Sequence, residues 1–279
     1  MGAEWRQPRP PGEGTQAMLP IRRALLGAIA ALPLLACTAF AAEIKVMSSG
    51  GFHSALDALA PEFEKATGHK VTKIYGASMG AVPTAVPNRL ARGEAADMVI
   101  IAGEAIDKLI EEGRLQKGSR TDLVFSRIGV VVKAGAPQPD VSTPAAVKAM
   151  LLAAPSVAYS DSASGVYISS RFFQGLGITD QMAGKAFKVP STRRVAEVVA
   201  AGEAAVGFQQ ISEILGIPGA TLVGPLPEAI QLVTSFSAGI PVGAEQPEVA
   251  KAFVAFLTAP AAWPTIRSMG LDPAGEPKR

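Results

Sequence analysis

A single cysteine and two histidines leave this 279-residue chain little room for several common chemistries. Cys37 has no second cysteine to pair with, so no internal disulfide can hold the fold and an ordinary core must do so. His53 and His69 stand apart, and no H-x-x-x-H, C-x-x-C or D-x-D-x-D spacing occurs, so no metal site is expected. The G-x-x-x-x-G-K-[ST] and G-x-G-x-x-G phosphate loops are absent as well. Charge is equally spare. Four arginines against two glutamates in residues 1–41 account for the whole net charge of +2, and the remainder is balanced. A nucleic-acid partner, which needs a clustered basic surface, is therefore not expected. There is no internal repeat and no low-complexity tract after residue 41.

What is present begins at the amino end. Residues 18–41 run from a basic pair, Arg22 and Arg23, through an apolar stretch at 24–36 to Ala39-Phe40-Ala41. This is the order of a secretory signal with an A-x-A cleavage site. The apolar stretch, about 13 residues, falls short of the roughly 20 that cross a bilayer. Export to the periplasm with cleavage after Ala41 is the expectation, and Met18 is the expected start of translation. Leu34-Leu35-Ala36-Cys37 also resembles a lipobox, which would leave Cys37 as a lipidated first residue.

The rest of the chain alternates between the two hydrophobic periods. Strands are expected at 43–47, 70–75 and 96–102, interleaved with helices at 54–67, 87–93 and 105–112. That β-α order implies a parallel sheet covered on both sides. A strand at 127–134 leads out, followed by a helix at 145–153, a strand at 156–159, helices at 165–176 and 192–201, and a strand at 205–209. Strands at 220–226 and 230–235 return, and helices at 248–257 and 261–269 close the chain. The expected fold is α/β and two-lobed, each lobe a mostly parallel sheet with flanking helices, joined by two crossings. Residues 42–122 with 226–275 form lobe I, and 123–225 form lobe II. Such a shape places a cleft between the lobes, where small ligands bind.

Three strand–helix junctions are built of small, hydroxyl-bearing residues: Ser48-Ser49-Gly50-Gly51, Gly76-Ala77-Ser78-Met79-Gly80 and Asp161-Ser162-Ala163-Ser164-Gly165. Small residues let the backbone approach a ligand, and free N–H groups at a helix start favour an anion. Plain N-capping explains each junction singly; three at strand ends in two lobes point to a shared cleft. Ser48, Ser49, Gly50, Ser78, Met79, Ser164 and Gly165 are therefore ligand candidates. Arg193 and Arg194 open a helix, against the dipole preference, and could clamp a carboxylate. Gln210, beside Gln209, follows a buried strand and is a further candidate. His53 sits at a helix start and is read as a structural residue. With no catalytic constellation found, the chain is expected to bind rather than convert its ligand, without cofactor or metal.

Several stretches together resemble the molybdate-binding family of periplasmic solute-binding proteins: VMSSGGFHSAL, the A-x-x-D-x-x-I pattern at 95–101, ASGVYISSRFFQGLG, AGEAAVGF and KAFVAFLTAP. The resemblance runs from about Ile44 to Leu271. It implies a type II binding fold that closes on its ligand by a hinge, and an inner-membrane ABC permease as partner. It further implies that Ser78, Ser164 and Gly165 hold a tetrahedral oxyanion such as molybdate or tungstate through neutral donors. Two positions depart from the family pattern: Gly51 replaces the first-junction serine, and Gln210 stands near its tyrosine. An organic carboxylate held by Arg193 and Arg194 is the competing ligand, and a secreted hydrolase the distant alternative.

Overall fold

The computed structural model describes residues 41–277, so the expected signal segment and Cys37 lie outside the described residues. In chain order, β1 (Glu43–Ser49), α1 (Gly50–Thr67), β2 (Lys70–Gly76), α2 (Val86–Ala91), β3 (Met98–Ala102) and α3 (Gly103–Glu111) come first. β4 (Thr121–Ser126), β5 (Ile128–Lys133), α4 (Pro144–Ala153) and β6 (Val157–Ser160) follow. Next come α5 (Ala163–Tyr167), which runs on through a π-helical turn at Ile168–Phe172 into α6 (Phe173–Gly175), then α7 (Thr179–Met182) and β7 (Ala186–Val189). α8 (Val195–Ala200), β8 (Val206–Gln210), α9 (Ile211–Ile214), β9 (Ala220–Pro225) and β10 (Thr234–Gly239) lead to α10 (Pro247–Thr258), α11 (Trp263–Ser268) and β11 (Asp272–Pro273).

The strands form two sheets, in the orders β11-β4-β10-β3-β1-β2 and β7-β6-β8-β5-β9. Within each, a parallel core (β2-β1-β3 and β7-β6-β8) carries antiparallel neighbours, β10 and β4 in the first and β5 and β9 in the second. The antiparallel strands are those that flank the crossings, which lie at Arg127 and between β9 and β10. A chain that leaves one lobe and returns must re-enter against the direction of the parallel core. β4 belongs to the first sheet, so the change of lobe falls at Arg127 rather than between 122 and 123, and the strand expected at 127–134 is β5.

Both sheets are covered on both faces. On the first, α1 buries Phe52, Leu56, Leu59 and Phe63 against Ile44, Val46 and Phe253 of one cluster, while Met47, Val99, Ile101, Ile106 and Leu109 form the other. On the second, Phe172, Phe173 and Phe208 fill one side, and Val131, Val195 and Val199 the other. Shedding this apolar surface from water is the main stabilising term. β3, whose five residues are all buried, is the central example of a strand covered on both sides.

Register then sets the site. β1 and β2 pair from Glu43↔Lys70 to Ser49↔Gly76, so the first two small-residue turns emerge side by side. In the second sheet, Ser160↔Val189 and Tyr159↔Phe208 bring the turn after β6 next to the segment before α8 and to Gln209. Two expected bounds shift. α1 begins at Gly50, directly after β1, and the return strand lies at Thr234–Gly239 rather than 230–235.

Candidate functional site

Carboxyl ends of strands from both lobes converge on a cleft of about 620 Å³, within the usual range for small-ligand sites. The lobes touch across it. Ser78 N–H donates to Ser162 Oγ at 3.2 Å, Ser54 Oγ donates to the Ser212 carbonyl at 3.4 Å, and Ser212 Oγ donates to the Gly51 carbonyl at 2.8 Å. A larger depression of about 1050 Å³ lies by the crossings, but its charges pair with one another: Arg127 with Glu228 and Asp272, Arg267 with Glu276. It offers no unpaired charge among the described residues, so the inter-lobe cleft is the better candidate.

The lobe I wall carries Gly50, His53, Tyr75, Gly76, Ala77 and Thr84. His53 stacks on Tyr75 with ring centroids 3.7 Å apart. Its Nε2 lies 3.0 Å from Asp57 Oδ2, and Asp57 also accepts from Tyr75 Oη at 2.6 Å and pairs with Lys73. Burial holds the His53 imidazole below its ordinary value, although Asp57 pulls the other way. Burial tends to raise the Asp57 carboxyl, but the hydrogen bonds from Lys73 and Tyr75 outweigh it and hold the group low. The Tyr75 phenol is raised, first by burial and then by its bond to Asp57. Its hydroxyl therefore stays neutral.

Beneath this wall the serines satisfy one another. Ser78 Oγ donates to Ser49 Oγ at 2.8 Å and accepts from Ala102 N–H at 3.0 Å, while Ser48 Oγ donates to the Ser49 carbonyl at 3.3 Å. All three serines are buried. Residues 76–80 also fit the G-x-S-x-G spacing of a nucleophile elbow. Ser78 gives its proton to Ser49 and not to a base, so the spacing makes no nucleophile here.

The lobe II wall is charged. Glu213 on α9 accepts from Gln209 Nε2 at 3.1 Å, and Gln209 Oε1 in turn accepts from Val195 N–H at 2.8 Å. Burial pushes the Glu213 carboxyl up to about 7, against the pull of Arg194 and Gln209 and with help from Asp161. The Asp161 Oδ1 atom is itself buried without a hydrogen-bond partner. Arg193 also lines the cleft but is held in a two-pronged pair with Glu203, both bonds 3.0 Å. Arg194 lines the cleft, and among the described residues its guanidinium has no hydrogen-bond or ion-pair partner. Ser160 and Ser164 share a hydrogen bond of 3.0 Å, and Ser162 stands at the edge. Gly165 is fixed by space: a Cβ there would sit 1.5 Å from the Ser160 carbonyl oxygen.

Of the residues singled out from the sequence, Gly50, Arg193 and Arg194 therefore line the cleft. Ser48, Ser49, Ser78, Ser164 and Gly165 lie just behind it. Met79 packs on the apolar cluster beside β3, and Gln210 is buried, its Nε2 donating to Thr234 Oγ1 at 3.1 Å. Sequence reasoning passed over Tyr75 and Glu213. The one signal for Glu213 was a lone carboxylate between apolar residues directly after a buried strand.

A model of the family described as bacterial extracellular solute-binding protein matches residues 44–272. The chain belongs to this family. It is 43% identical over 250 residues to a protein named aconitate isomerase from Pseudomonas sp, covering 89% of this chain and 95% of that one. It is 28% identical over 251 residues to the molybdate-binding protein ModA of Azotobacter vinelandii, covering 85% and 92%. Among solved structures, the periplasmic molybdate-binding protein of Azotobacter vinelandii superposes with a TM-score of 0.69 at 21% identity, over 84% of this chain and all of that one. L-phospholactate-bound PEB3 gives 0.62 at 15%, over 82% and 99%. These place the fold among type II periplasmic binding proteins, as the sequence resemblance implied. The first relative corrects one expectation. The chain was read as a binder and not an enzyme, yet a protein it matches nearly end to end is named for a reaction.

Proposed function

We propose that this solute-binding protein is an exported enzyme that holds aconitate between its lobes and interconverts the cis and trans forms. The observation that carries the reading is the 43% identity across 95% of the aconitate isomerase of Pseudomonas sp. The chemistry of the cleft agrees with it. Aconitate is propene-1,2,3-tricarboxylate, and each isomer carries a methylene flanked by a carboxylate and the double bond. Removing a methylene proton and returning one at the far end of the allyl unit moves the double bond. If the carbon skeleton has turned meanwhile, the geometry changes too. Such a site needs a cation for the carboxylates and a group that ionises near neutrality. Arg194 supplies the first, as a guanidinium can take a carboxylate through two parallel bonds. The leader at 18–41 supports delivery to the periplasm.

A second reading, capture of molybdate for an ABC permease, is supported by the 28% identity to ModA. The higher identity, 43% against 28%, supports the first, and so does the unpaired Arg194 guanidinium at the cleft, whose parallel donors suit a carboxylate. A thermal-shift panel of the purified protein separates the two. At a hundred times its Kd a ligand adds about 2.7 kcal/mol of stability. Both aconitate isomers are expected to raise the midpoint while molybdate and tungstate leave it unmoved. A shift with molybdate alone refutes the proposal.

A further inference from the structure

We infer that Glu213 is the group that moves the substrate's proton, and that Gly50 is kept without a side chain so that the Glu213 carboxylate can stand at the cleft. This rests on the reading of the protein as an aconitate-converting enzyme. The position is built from both lobes. Gln209 holds Glu213 Oε1 at 3.1 Å, while Oε2 has no hydrogen-bond partner among the described residues. The two Ser212 contacts, with Ser54 and with Gly51, tie α9 to the first turn of α1. A Cβ at Gly50 would lie 2.0 Å from Oε1, so any side chain there would push the carboxylate aside.

The charged and titratable groups around Glu213 are Arg194 and Glu197 near α8, Asp161 after β6, His53 and Asp57 on α1, and Lys73 and Tyr75 on β2. Asp57 is already committed to His53, Lys73 and Tyr75. The Glu213 carboxyl titrates at about 7, where base and acid forms coexist at neutral pH, the condition under which a proton carrier works best. In the step, an oxygen of Glu213 takes a methylene proton. The C–H electron pair becomes the new double bond, and the old double bond's electrons go to the distal carbon. That carbon takes a proton back from the same carboxyl. One proton leaves and one returns, with no oxidant or reductant. Arg194, on an adjacent carboxylate, stabilises the charge that spreads over the allyl unit as the proton leaves.

Three variants of the full chain test this: Glu213→Gln, Gly50→Ala and, for the competing base, His53→Gln. Conversion of cis- to trans-aconitate is followed by proton NMR, and binding of each isomer by calorimetry. Glu213→Gln is expected to bind within about threefold of the parent and to lose turnover by at least about 10²-fold, the usual range for a general base. Gly50→Ala places a good helix former in the first turn of α1, so it is expected to keep its melting midpoint yet lose turnover by about tenfold or more as the carboxylate is displaced. In the parent, kcat/KM is expected to rise with pH through about 7. Turnover by Glu213→Gln within threefold of the parent overturns the assignment, as does loss confined to His53→Gln. A parent that neither binds nor converts aconitate refutes the functional reading itself, which is a different result from a parent that converts it without needing Glu213.

Discussion

The two walls of the cleft use their polar residues in opposite ways. On the lobe I side, the serines of the first two turns bond to one another and to the Ala102 N–H, and Asp57 is shared among His53, Lys73 and Tyr75. On the lobe II side, Arg194 is without a protein partner among the described residues, and Asp161 Oδ1 is buried without a hydrogen bond. A buried polar atom without a partner costs free energy unless something else satisfies it. The difference teaches that small donors at strand ends can be engaged with one another within the fold. The lobe I donors are engaged within the fold, and lobe II leaves polar groups without protein partners among the described residues. Arg193 and Arg194 repeat the contrast at the scale of two neighbours, one paired with Glu203 and the other held toward the cleft.

Substitutions on the two walls should therefore differ in kind. The largest stability effect is expected at Glu213, with an unusual sign. Its folded pKa of about 7 lies above the ordinary 4.5, so ionising it costs stability as pH rises through that window. Glu213→Gln should thus stabilise the protein at pH 8, by up to about 3 kcal/mol, and change little below pH 4.5, which urea titrations at both pH values would read. Arg194→Ala comes next, with about 100-fold weaker aconitate binding by calorimetry, because the ligand's charge would lose its partner in a desolvated site. Ser78→Ala, on the opposite wall, should cost about 1–2 kcal/mol of stability by leaving Ala102 N–H without its acceptor, with aconitate affinity within about twofold of the parent. Arg193→Ala should alter neither binding nor melting midpoint, since an exposed ion pair contributes little. An affinity loss at Ser78 equal to that at Arg194 would erase the contrast between the walls.

Much of the fold was legible because its elements are local. The run at 96–102 reads as a strand covered on both faces, and the repeat of Leu56, Leu59 and Phe63 reads as a helix face. Elements that depend on distant partners were harder. The β10 sequence TSFSAG has few branched residues, and it is a strand because β3 and β4 pair on either side of it. The short, largely exposed β7 has no periodic pattern to betray it. α8 starts at Val195, three residues later than expected, and Gln209 Oε1 accepts the Val195 N–H at its first turn. The site divides in the same manner. Small residues at strand ends marked turns that register brings to the cleft. Which arginine is left unpaired depends on Glu203, and the Glu213 carboxyl is raised by burial that only the folded chain supplies. Neither fact has a local signature.

The account's central claim is that a solute-binding fold here converts its ligand. The most direct test is to incubate the purified protein with cis-aconitate in ordinary aqueous buffer at neutral pH and record proton spectra over time. The account predicts growth of trans-aconitate signals to a steady ratio, an acceleration that Glu213→Gln abolishes while still binding both isomers. Spectra unchanged from those of protein-free buffer, with cis-aconitate bound but never altered, would contradict it.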